Sequence, residues 1–517
     1  MKGSISLLSA TFLLIIACSG ANPRSAPNDA TRERADRVAL DQYVERVQRD
    51  WNVPGMAVAM VRGDRVVLAK GYGRRRIDGG DRVDADTVFQ CASLTKPFVS
   101  VAAATLAVQG RWSLEDRVES RLPSFRMADE RATHEFRIRD LMAHRSGLAT
   151  FEGDLFWLYS DLDDAAILQH LGALRPRYGF RSRFGYSNLM FMVAARAMQG
   201  VVGVPWPDQL RRTLFEPLHM DRTALGAAAL RGLTNIASPH AMAQGRPRPI
   251  DPYPSDNAAA AAGLDSSVND LSKWLRLLVD DGRFDGRQIV PAEALHETWK
   301  PHGIIPVHPV DHSDIIAGLL SAMDPSLRSA YYGLGWVLLD HRGERVIMHG
   351  GALPGSTAAL GLVPGRGGVV VLANTEDPTA VHVVLFRALD ELLGLDPVDW
   401  SAAQQRAAPP PPPSRALGPA ASASRRSDLV GHYVSAEYGA AEVRREGDTL
   451  TFHLEHHSAM SCPLVLVQSD RYSCSWSNPE MLGADLAFTR AGNAVSGFEL
   501  SPDAFIDTHK YTFTRAR

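Results

Sequence analysis

Residues 93–108, SLTKPFVSVAAATLAV, form the stretch of sequence that bears most directly on both fold and chemistry. After Pro97 the run is apolar on almost every face, and Gly110 follows it as a C-terminal stop, so it predicts a helix buried between layers. Because a proline disfavours helical geometry just upstream and lacks an N–H, we place the start of this helix at or near Ser93. A serine there lies at the positive end of the helix dipole, where a developing oxyanion is stabilised.

Lys96 lies three residues after Ser93 and therefore shares a helix face with it. Its amine could accept the proton of the Ser93 hydroxyl if burial lowers the lysine pKa. The alternative, a solvated serine beside a surface lysine, fits poorly at the mouth of a helix too apolar to be exposed. The pair is a candidate nucleophile and base. This assignment becomes stronger if further motifs follow along the chain in a fixed order.

Two further motifs follow along the chain, YSN at 186–188 and HGG at 349–351. Together with SLTK at 93–96, and in this order, they resemble the three motifs of the serine β-lactamase-related and penicillin-binding hydrolases, in particular the class C β-lactamase, D-aminopeptidase and esterase branch. The resemblance covers roughly residues 36–395. It implies a serine hydrolase that acts through an acyl-enzyme on amide or ester bonds.

The same resemblance assigns roles to individual side chains. The catalytic residues are Ser93, Lys96 and Tyr186, and the substrate-binding residues are Asn188, His349, Gly351 and Ala352. The tyrosine oxygen, held as a phenolate beside the lysine ammonium, would act as a base, and the asparagine carboxamide would bind the substrate carbonyl. The glycine lets a substrate lie close to a strand, and the N–H of Ala352 would complete an oxyanion hole with that of Ser93.

The third motif departs from the family pattern at its first residue, His349. Many β-lactamases and carboxypeptidases of the family have a lysine there, which meets the substrate carboxylate, whereas histidine is mostly neutral at pH 7. Weaker carboxylate capture favours D-amino-acid peptide, amide or ester substrates over efficient β-lactam hydrolysis. The alternative is a catalytically silent sensor or binding protein on the same fold, but the joint presence of Ser93, Lys96 and Tyr186 speaks against it.

The strand pattern predicts an α+β fold. Segments 56–62 and 66–71 flank a Gly-Asp turn as a hairpin, helices follow, and strands return between 335 and 373. Strands at both ends with helices between them indicate one antiparallel sheet covered by helices. The resemblance specifies a β-lactamase/transpeptidase-like arrangement for a catalytic domain over 36–395.

A Pro-rich linker is predicted over 396–426, where five consecutive prolines stand among Ala, Ser and Gln. Beyond it, short alternating segments in 427–517 predict a small all-β domain, barrel or lipocalin-like, similar to a β domain of unknown function often fused to such hydrolases. Because the linker separates them, deletion after Pro413 is expected to leave acylation intact and to alter only selectivity or assembly. Cys462 and Cys474 are either a cross-strand disulfide or two unpaired thiols.

Residues 1–18 predict a signal peptide, because Lys2 supplies a positive start and an apolar run too short to span a bilayer follows. The run ends in IIAC at 15–18, which resembles a bacterial lipobox with Cys18 as the lipidated first mature residue, while the small residues after it offer ordinary cleavage instead. Residues 19–35 lack apolar periodicity and predict a flexible tether. We therefore expect an exported bacterial protein, either periplasmic or anchored to the membrane as a lipoprotein.

The composition and two near-miss motifs exclude several classes of function. With 55 basic and 58 acidic residues and a net charge of −3, the chain of 517 residues lacks the cationic excess that nucleic-acid binding requires. GYSNL at 185–189 lacks the last glycine of a nucleophile elbow, and HETWK at 296–300 lacks the second ligand of a zinc helix. We expect a small-molecule or peptide substrate, no nucleic-acid partner, no metal and no organic cofactor; the sequence specifies no oligomeric state.

Overall fold

The computed structural model describes residues 29–309, 314–407 and 426–516. The helices are α1 (Asp29–Asp50), α2 (Thr95–Val108), α3 (Val118–Arg121), α4 (Glu130–Glu135), α5 (Ile138–Met142), α6 (Asp164–Leu171), α7 (Asn188–Val202), α8 (Trp206–Leu210), α9 (Ala227–Leu230), α10 (Ala259–Ala262), α11 (Val268–Val279), α12 (Ala292–Thr298), α13 (Ile315–Met323), α14 (Thr379–Leu393) and α15 (Trp400–Ala407). Short 3₁₀ turns cover Asp154–Phe156, Ser255–Ala258, Ser427–Leu429, Glu455–His457 and Pro479–Met481, and a π-helical turn covers Arg211–Phe215. The strands are β1 (Gly55–Arg62), β2 (Arg65–Gly73), β3 (Phe89–Ala92), β4 (Ala224–Leu225), β5 (His240–Ala243), β6 (Arg246–Pro249), β7 (Leu264–Ser266), β8 (Arg283–Phe284), β9 (Arg287–Gln288), β10 (Gly303–Ile305), β11 (Ala330–Tyr332), β12 (Val337–His341), β13 (Glu344–Leu353), β14 (Ser356–Val363), β15 (Gly367–Ala373), β16 (Gly431–Ser435), β17 (Gly439–Glu446), β18 (Thr449–Leu454), β19 (Cys462–Pro463), β20 (Val465–Gln468), β21 (Arg471–Ser475), β22 (Gly483–Ala491), β23 (Ala494–Pro502) and β24 (Tyr511–Arg515).

Eight antiparallel strands form the main sheet, in the order β10-β11-β12-β13-β14-β15-β1-β2. The central strands β1 and β15 are buried on both faces, which explains their almost unbroken apolar sequences. Along β1, Met56, Val58 and Met60 pack in a core with α1 and α14. The alternate residues Ala57 and Ala59 pack in a second core with α2 and α11. The predicted α+β layout, one antiparallel sheet covered by helices, is confirmed.

Helix α2 is buried along most of its length, as its apolar sequence predicts. Phe98 stacks on Trp274 of α11 with ring centroids 4.2 Å apart, and Gly110 after the helix has a left-handed φ of 69°. The helix begins two residues after Ser93. Because β3 pairs with β7 as far as Ala92, the chain stays extended up to that residue and must turn before the helix can start.

Two helices extend into segments that were predicted as unstructured connections. Helix α1 begins inside the predicted tether 19–35, because DATRERAD at 29–36 is rich in the helix-favouring residues Ala, Arg and Glu. Helix α15 lies inside the predicted linker 396–426, where the Trp400 indole donates to Asp390 Oδ2 of α14 at 2.8 Å. The tether and linker predictions are wrong for these helical residues. The signal peptide, Cys18 and the proline run lie outside the described residues.

The C-terminal strands form a nine-stranded antiparallel sheet in the order β19-β18-β17-β16-β24-β23-β22-β21-β20. A disulfide between Cys462 and Cys474 connects the edge strand β19 to β21, the strand next to the opposite edge, and the sheet is thereby nearly closed into a barrel. Aromatic rings fill its interior, among them Phe498 stacked on Phe513 at 4.8 Å. The predicted all-β C-terminal region is confirmed, and of the two alternatives for the cysteines the structure forms the disulfide.

Membrane-spanning length and hydropathy do not occur together in any single helix of residues 29–309, 314–407 and 426–516. One bent pair, Asn188–Val202 with Trp206–Phe215, meets both criteria when the two helices are taken together.

Candidate active site

Ser93 lies in a tight turn between β3 and α2. The Ser93 carbonyl accepts a hydrogen bond from the Lys96 N–H at 3.1 Å, and Ala92 just before it has a left-handed φ of 51°, which strains a residue with a Cβ. The Ser93 side chain is partly exposed, whereas Ala92 and Leu94 on either side of it are buried. The turn therefore presents the serine hydroxyl at the mouth of α2.

Lys96 is completely buried, and its amine contacts the Ser93 hydroxyl. Lys96 Nζ donates to Ser93 Oγ at 3.0 Å, to Asn188 Oδ1 at 2.7 Å and to the carbonyl of Ala261 at 2.9 Å. Burial lowers the pKa of Lys96 to about 7, and the negative charge of Asp154 opposes this shift. A lysine that titrates near neutral pH can accept a proton as well as donate one, which an ordinary surface lysine cannot.

Tyr186 is buried beside both of these side chains. Lys96 Nζ lies 4.7 Å from the centroid of the Tyr186 ring. Burial raises the pKa of the Tyr186 phenol above its usual range, the charge of Asp154 adds to the rise, and a side-chain hydrogen bond with Ser93 opposes it. The structure therefore brings Ser93, Lys96 and Tyr186 together. It does not favour the predicted resting phenolate, because burial stabilises the neutral phenol.

Asn188 opens helix α7, and its carboxamide connects Lys96 to a carboxyl group that the sequence analysis missed. Asn188 Oδ1 accepts from Lys96, while Nδ2 donates to Asp154 Oδ2 at 2.5 Å. Burial, with an added contribution from the charge of Asp507, raises the pKa of Asp154 to about 8. No motif marks Asp154; the only signal in the sequence is an acidic residue directly before the apolar run LFWL at 155–158.

His349, on β13, is buried and bonded through both ring nitrogens. Nδ1 lies 2.6 Å from the Gly350 carbonyl, and since a carbonyl only accepts, Nδ1 carries the proton. Nε2 then accepts from the Tyr332 hydroxyl at 3.0 Å. Burial lowers the pKa of His349 to about 3, and the charge of Lys96 adds to the shift. The histidine is thus neutral at physiological pH, as predicted for the third motif.

Strand β13 passes directly beside the turn that carries Ser93. A Cβ at Gly351 would lie 2.2 Å from the carbonyl oxygen of Cys91 and 3.2 Å from the backbone nitrogen of Ser93. Only glycine allows so close an approach. Ala352, the next residue on the strand, is exposed. The strand backbone therefore reaches the Ser93 amide, and the roles of Gly351 and Ala352 in substrate binding stay predictions.

Comparisons with known proteins identify the family and the fold of this chain. The sequence profile of the Beta-lactamase family matches residues 40–393. The relative "Unguisins hydrolase ungD'" of Aspergillus campestris (strain IBT 28561) is 26% identical over 399 residues, which cover 72% of this chain and 69% of the relative.

Two solved structures share the fold. The octameric penicillin-binding protein homologue from Pyrococcus abyssi matches with a TM-score of 0.60 and 20% identity, over 93% of this chain and 100% of that one. A D-stereospecific amidohydrolase from Streptomyces sp. matches with a TM-score of 0.53 and 22% identity, over 68% of this chain and 98% of that one.

Proposed function

The chain belongs to the Beta-lactamase family and is a serine hydrolase, and from this premise we propose that it cleaves amide or ester bonds through an acyl-enzyme formed on Ser93. The proposed substrates are D-amino-acid peptides, amides or esters, in preference to β-lactams. One observation carries the proposal: Lys96 Nζ lies 3.0 Å from Ser93 Oγ in a buried site where the lysine pKa is about 7.

Acylation begins when Ser93 Oγ attacks the substrate carbonyl carbon and neutral Lys96 takes the hydroxyl proton. A C–O bond forms, and the carbonyl oxygen becomes an oxyanion for which the N–H groups of Ser93 and Ala352 are the proposed donors. Collapse of this intermediate breaks the bond to the leaving amine or alcohol, which receives the proton from Lys96 through Tyr186. Water then attacks the acyl ester, gives a proton to Lys96, and releases the acid as the proton returns to Ser93.

Two buried neighbours set the geometry of these steps. Tyr186, kept neutral by burial, is a proton donor to the leaving group rather than the resting base. Asn188 holds the Lys96 amine at the serine through Oδ1. Its amide nitrogen has two hydrogens, of which one is donated to Asp154, and we assign the other to the substrate carbonyl.

The preference for substrates without a required carboxylate rests on His349. Its ring is neutral, and both ring nitrogens are bonded inside the protein, to Gly350 and Tyr332. A lysine at this position would present a cation to a substrate carboxylate, and the neutral imidazole does not. The structural neighbour from Streptomyces sp. is a D-stereospecific amidohydrolase, and the D configuration of the proposed substrates is in keeping with it.

The test compares Ser93→Ala with a matched control, Ser100→Ala, which removes a buried hydroxyl from helix α2, the helix that follows Ser93. Each protein is given D-alanine p-nitroanilide, its L enantiomer, p-nitrophenyl butyrate and a chromogenic cephalosporin. A fluorophosphonate adduct is also sought by intact-mass spectrometry. We expect Ser93→Ala to lose all turnover and all labelling, and Ser100→Ala to retain both. Turnover by Ser93→Ala, or a folded wild-type protein that neither labels nor turns over, would overturn the proposal, and the second result would favour a silent sensor.

We also propose that the protein is exported, on the evidence of its first 18 residues. The disulfide between Cys462 and Cys474 supports an oxidising compartment. Fractionation of a bacterial host that expresses the full chain tests this, with Cys18→Ser as the variant that separates lipidation from simple secretion. Retention of the unprocessed chain in the cytoplasm would contradict export.

A further inference from the structure

The segment 503–510, which joins β23 to β24 in the C-terminal barrel, docks on the turn that carries Asp154. Asp507 is buried, and its two carboxylate oxygens accept hydrogen bonds from the backbone N–H groups of Gly153 and Leu155, each at 3.0 Å. These two donors flank Asp154 on both sides. A carboxylate of the barrel therefore fixes the backbone of the turn from which the Asp154 side chain projects.

This turn is connected to the proposed base by two further hydrogen bonds. Asp154 Oδ2 accepts from Asn188 at 2.5 Å, and Asn188 accepts from Lys96 at 2.7 Å. A continuous series of short polar contacts thus runs from the barrel to the amine that lies beside Ser93. All the side chains in the series except that of Ser93 are buried, so none of these contacts is exchanged for water without cost.

Further contacts hold the docked segment in place. His509 lies between two carboxylates, with Nδ1 2.9 Å from Glu152 Oε1 and Nε2 3.1 Å from Glu437 Oε2. The hydrogen bonds to these groups and the charge of Asp507 raise the pKa of His509 to about 9 against the opposing effect of burial, so the ring is cationic at neutral pH. Asp507 also accepts from the hydroxyl of Tyr511, the first residue of β24, at 2.6 Å. The orientation of Asp507 is therefore fixed from both sides of the junction.

We propose that Asp507 is a positioning residue for the reaction, which acts through Asp154 and Asn188 to hold the Lys96 amine at Ser93. The inference rests on the proposed function of Ser93 and Lys96. It revises the expectation that the C-terminal region is a separable module with no effect on acylation, since the barrel supplies one of the groups that order the site.

The test is a double-mutant cycle in the full chain. Asp507→Asn keeps the size of the side chain but replaces one acceptor oxygen with a donor, so it loses one of the two backbone contacts. We expect it to lower kcat for p-nitrophenyl butyrate at least tenfold with little change in KM, because Asp507 lies outside the proposed substrate contacts and acts on the position of the Lys96 amine. In an Asp154→Ala background, where the connection is already cut, the same change should lower kcat less than twofold.

Asp448→Asn is the control, because this exposed carboxylate lies in a turn on the same barrel; it should leave kcat unchanged. A loss that is equal in both backgrounds would assign Asp507 a merely structural role and overturn the inference, as would a folded Asp507→Asn protein with wild-type kcat. If Asp507→Asn does not fold, His509→Gln replaces it in the same cycle with the same criterion. Failure of Ser93→Ala to abolish turnover would instead defeat the proposed function, so the two failures are distinguishable.

Discussion

Replacement of Lys96 by arginine is the sharpest test of the proposed chemistry. Arginine preserves a positive charge and donors of similar reach, but its guanidinium does not lose a proton at any pH at which the protein is folded. The contacts to Asn188 and Ala261 can in part be remade. What Lys96→Arg removes is therefore the capacity to accept the proton of Ser93.

The size of the effect follows from the pKa of Lys96. Burial lowers it from 10.5 to about 7, so about half of the amine is neutral at pH 7. A lysine with an unshifted pKa would be neutral in only about three molecules in ten thousand. A residue that is never neutral should therefore lower kcat/KM at least about a thousandfold.

The same shift predicts the pH dependence of the wild-type enzyme. Protonated Lys96 cannot accept a proton, so log kcat/KM should rise with a slope near one below pH 7 and flatten between pH 7 and 8. Above pH 8 Asp154 ionises, and its charge opposes the loss of the Lys96 proton. Tyr186 adds no limb in this range, because burial raises its pKa and it remains protonated.

The assay is the hydrolysis of p-nitrophenyl butyrate between pH 5.5 and 9, together with the rate of fluorophosphonate labelling by intact mass. Lys273→Arg is the matched control, since Lys273 is a partly exposed lysine that pairs with Asp270 away from the site. A Lys96→Arg protein that keeps more than a tenth of wild-type kcat/KM, or a wild-type profile that is flat across this range, would refute the assignment of Lys96 as the base.

Three other changes have defined outcomes. Gly351→Ala places a Cβ 2.2 Å from a backbone oxygen of the facing strand, so β13 must move and ester turnover should fall about a hundredfold. Gly318→Ala is the control, because Gly318 has open space around it, and this variant should keep full turnover. Equal turnover by the two variants would contradict the close approach of β13 to the Ser93 turn. For His509, the folded pKa of about 9 exceeds the ordinary value of 6.5. The protonated ring therefore stabilises the fold by up to about 3 kcal/mol, an effect that is complete below pH 6.5 and is lost as the pH rises through 9. In urea titrations the stabilities of His509→Gln and wild type should converge above pH 9, and a difference that does not depend on pH would contradict this. Cys462→Ala with Cys474→Ala opens a disulfide that spans 12 residues and should lower the free energy of unfolding by about 2–3 kcal/mol in a denaturant titration. An unchanged free energy of unfolding would show that the disulfide does not stabilise the barrel.

Helices and strands whose buried residues recur at a regular spacing could be predicted from the sequence. The apolar run after Pro97 predicts α2, and alternation in the chain beyond 427 predicts the all-β region, because helix and strand impose different spacings on buried residues. Helix α15 was missed because its stability depends on distant partners. The Trp400 indole donates a hydrogen bond to Asp390, and the Trp51 indole donates one to Ser401. No local sequence pattern indicates these contacts.

The same distinction applies to the site. Ser93, Lys96 and Tyr186 were found because they belong to two motifs, SLTK at 93–96 and YSN at 186–188, that the fold brings together. Asp154 was missed because it belongs to no motif and lies 34 residues from its partner Asn188. The resting protonation state of Tyr186 was also misjudged, since burial is a property of the packed structure and its effect on the pKa exceeds what residue type alone suggests.

The barrel also influences the charge state of the base. The negative charge of an ionised Asp154 raises the pKa of Lys96 and so opposes the lowering that burial causes. Burial and the nearby charge of Asp507 raise the pKa of Asp154 to about 8, so at pH 7 roughly nine in ten of these carboxyl groups are neutral. Asp507, with a pKa raised by burial to about 6, is itself mostly ionised at that pH. An apolar residue at position 154 would also leave Lys96 free of an ion pair, but it could not accept the hydrogen bond that orients Asn188. An acid kept protonated by burial, with a further contribution from a neighbouring anion, meets both requirements, and the two carboxyl groups buried side by side at this junction provide it.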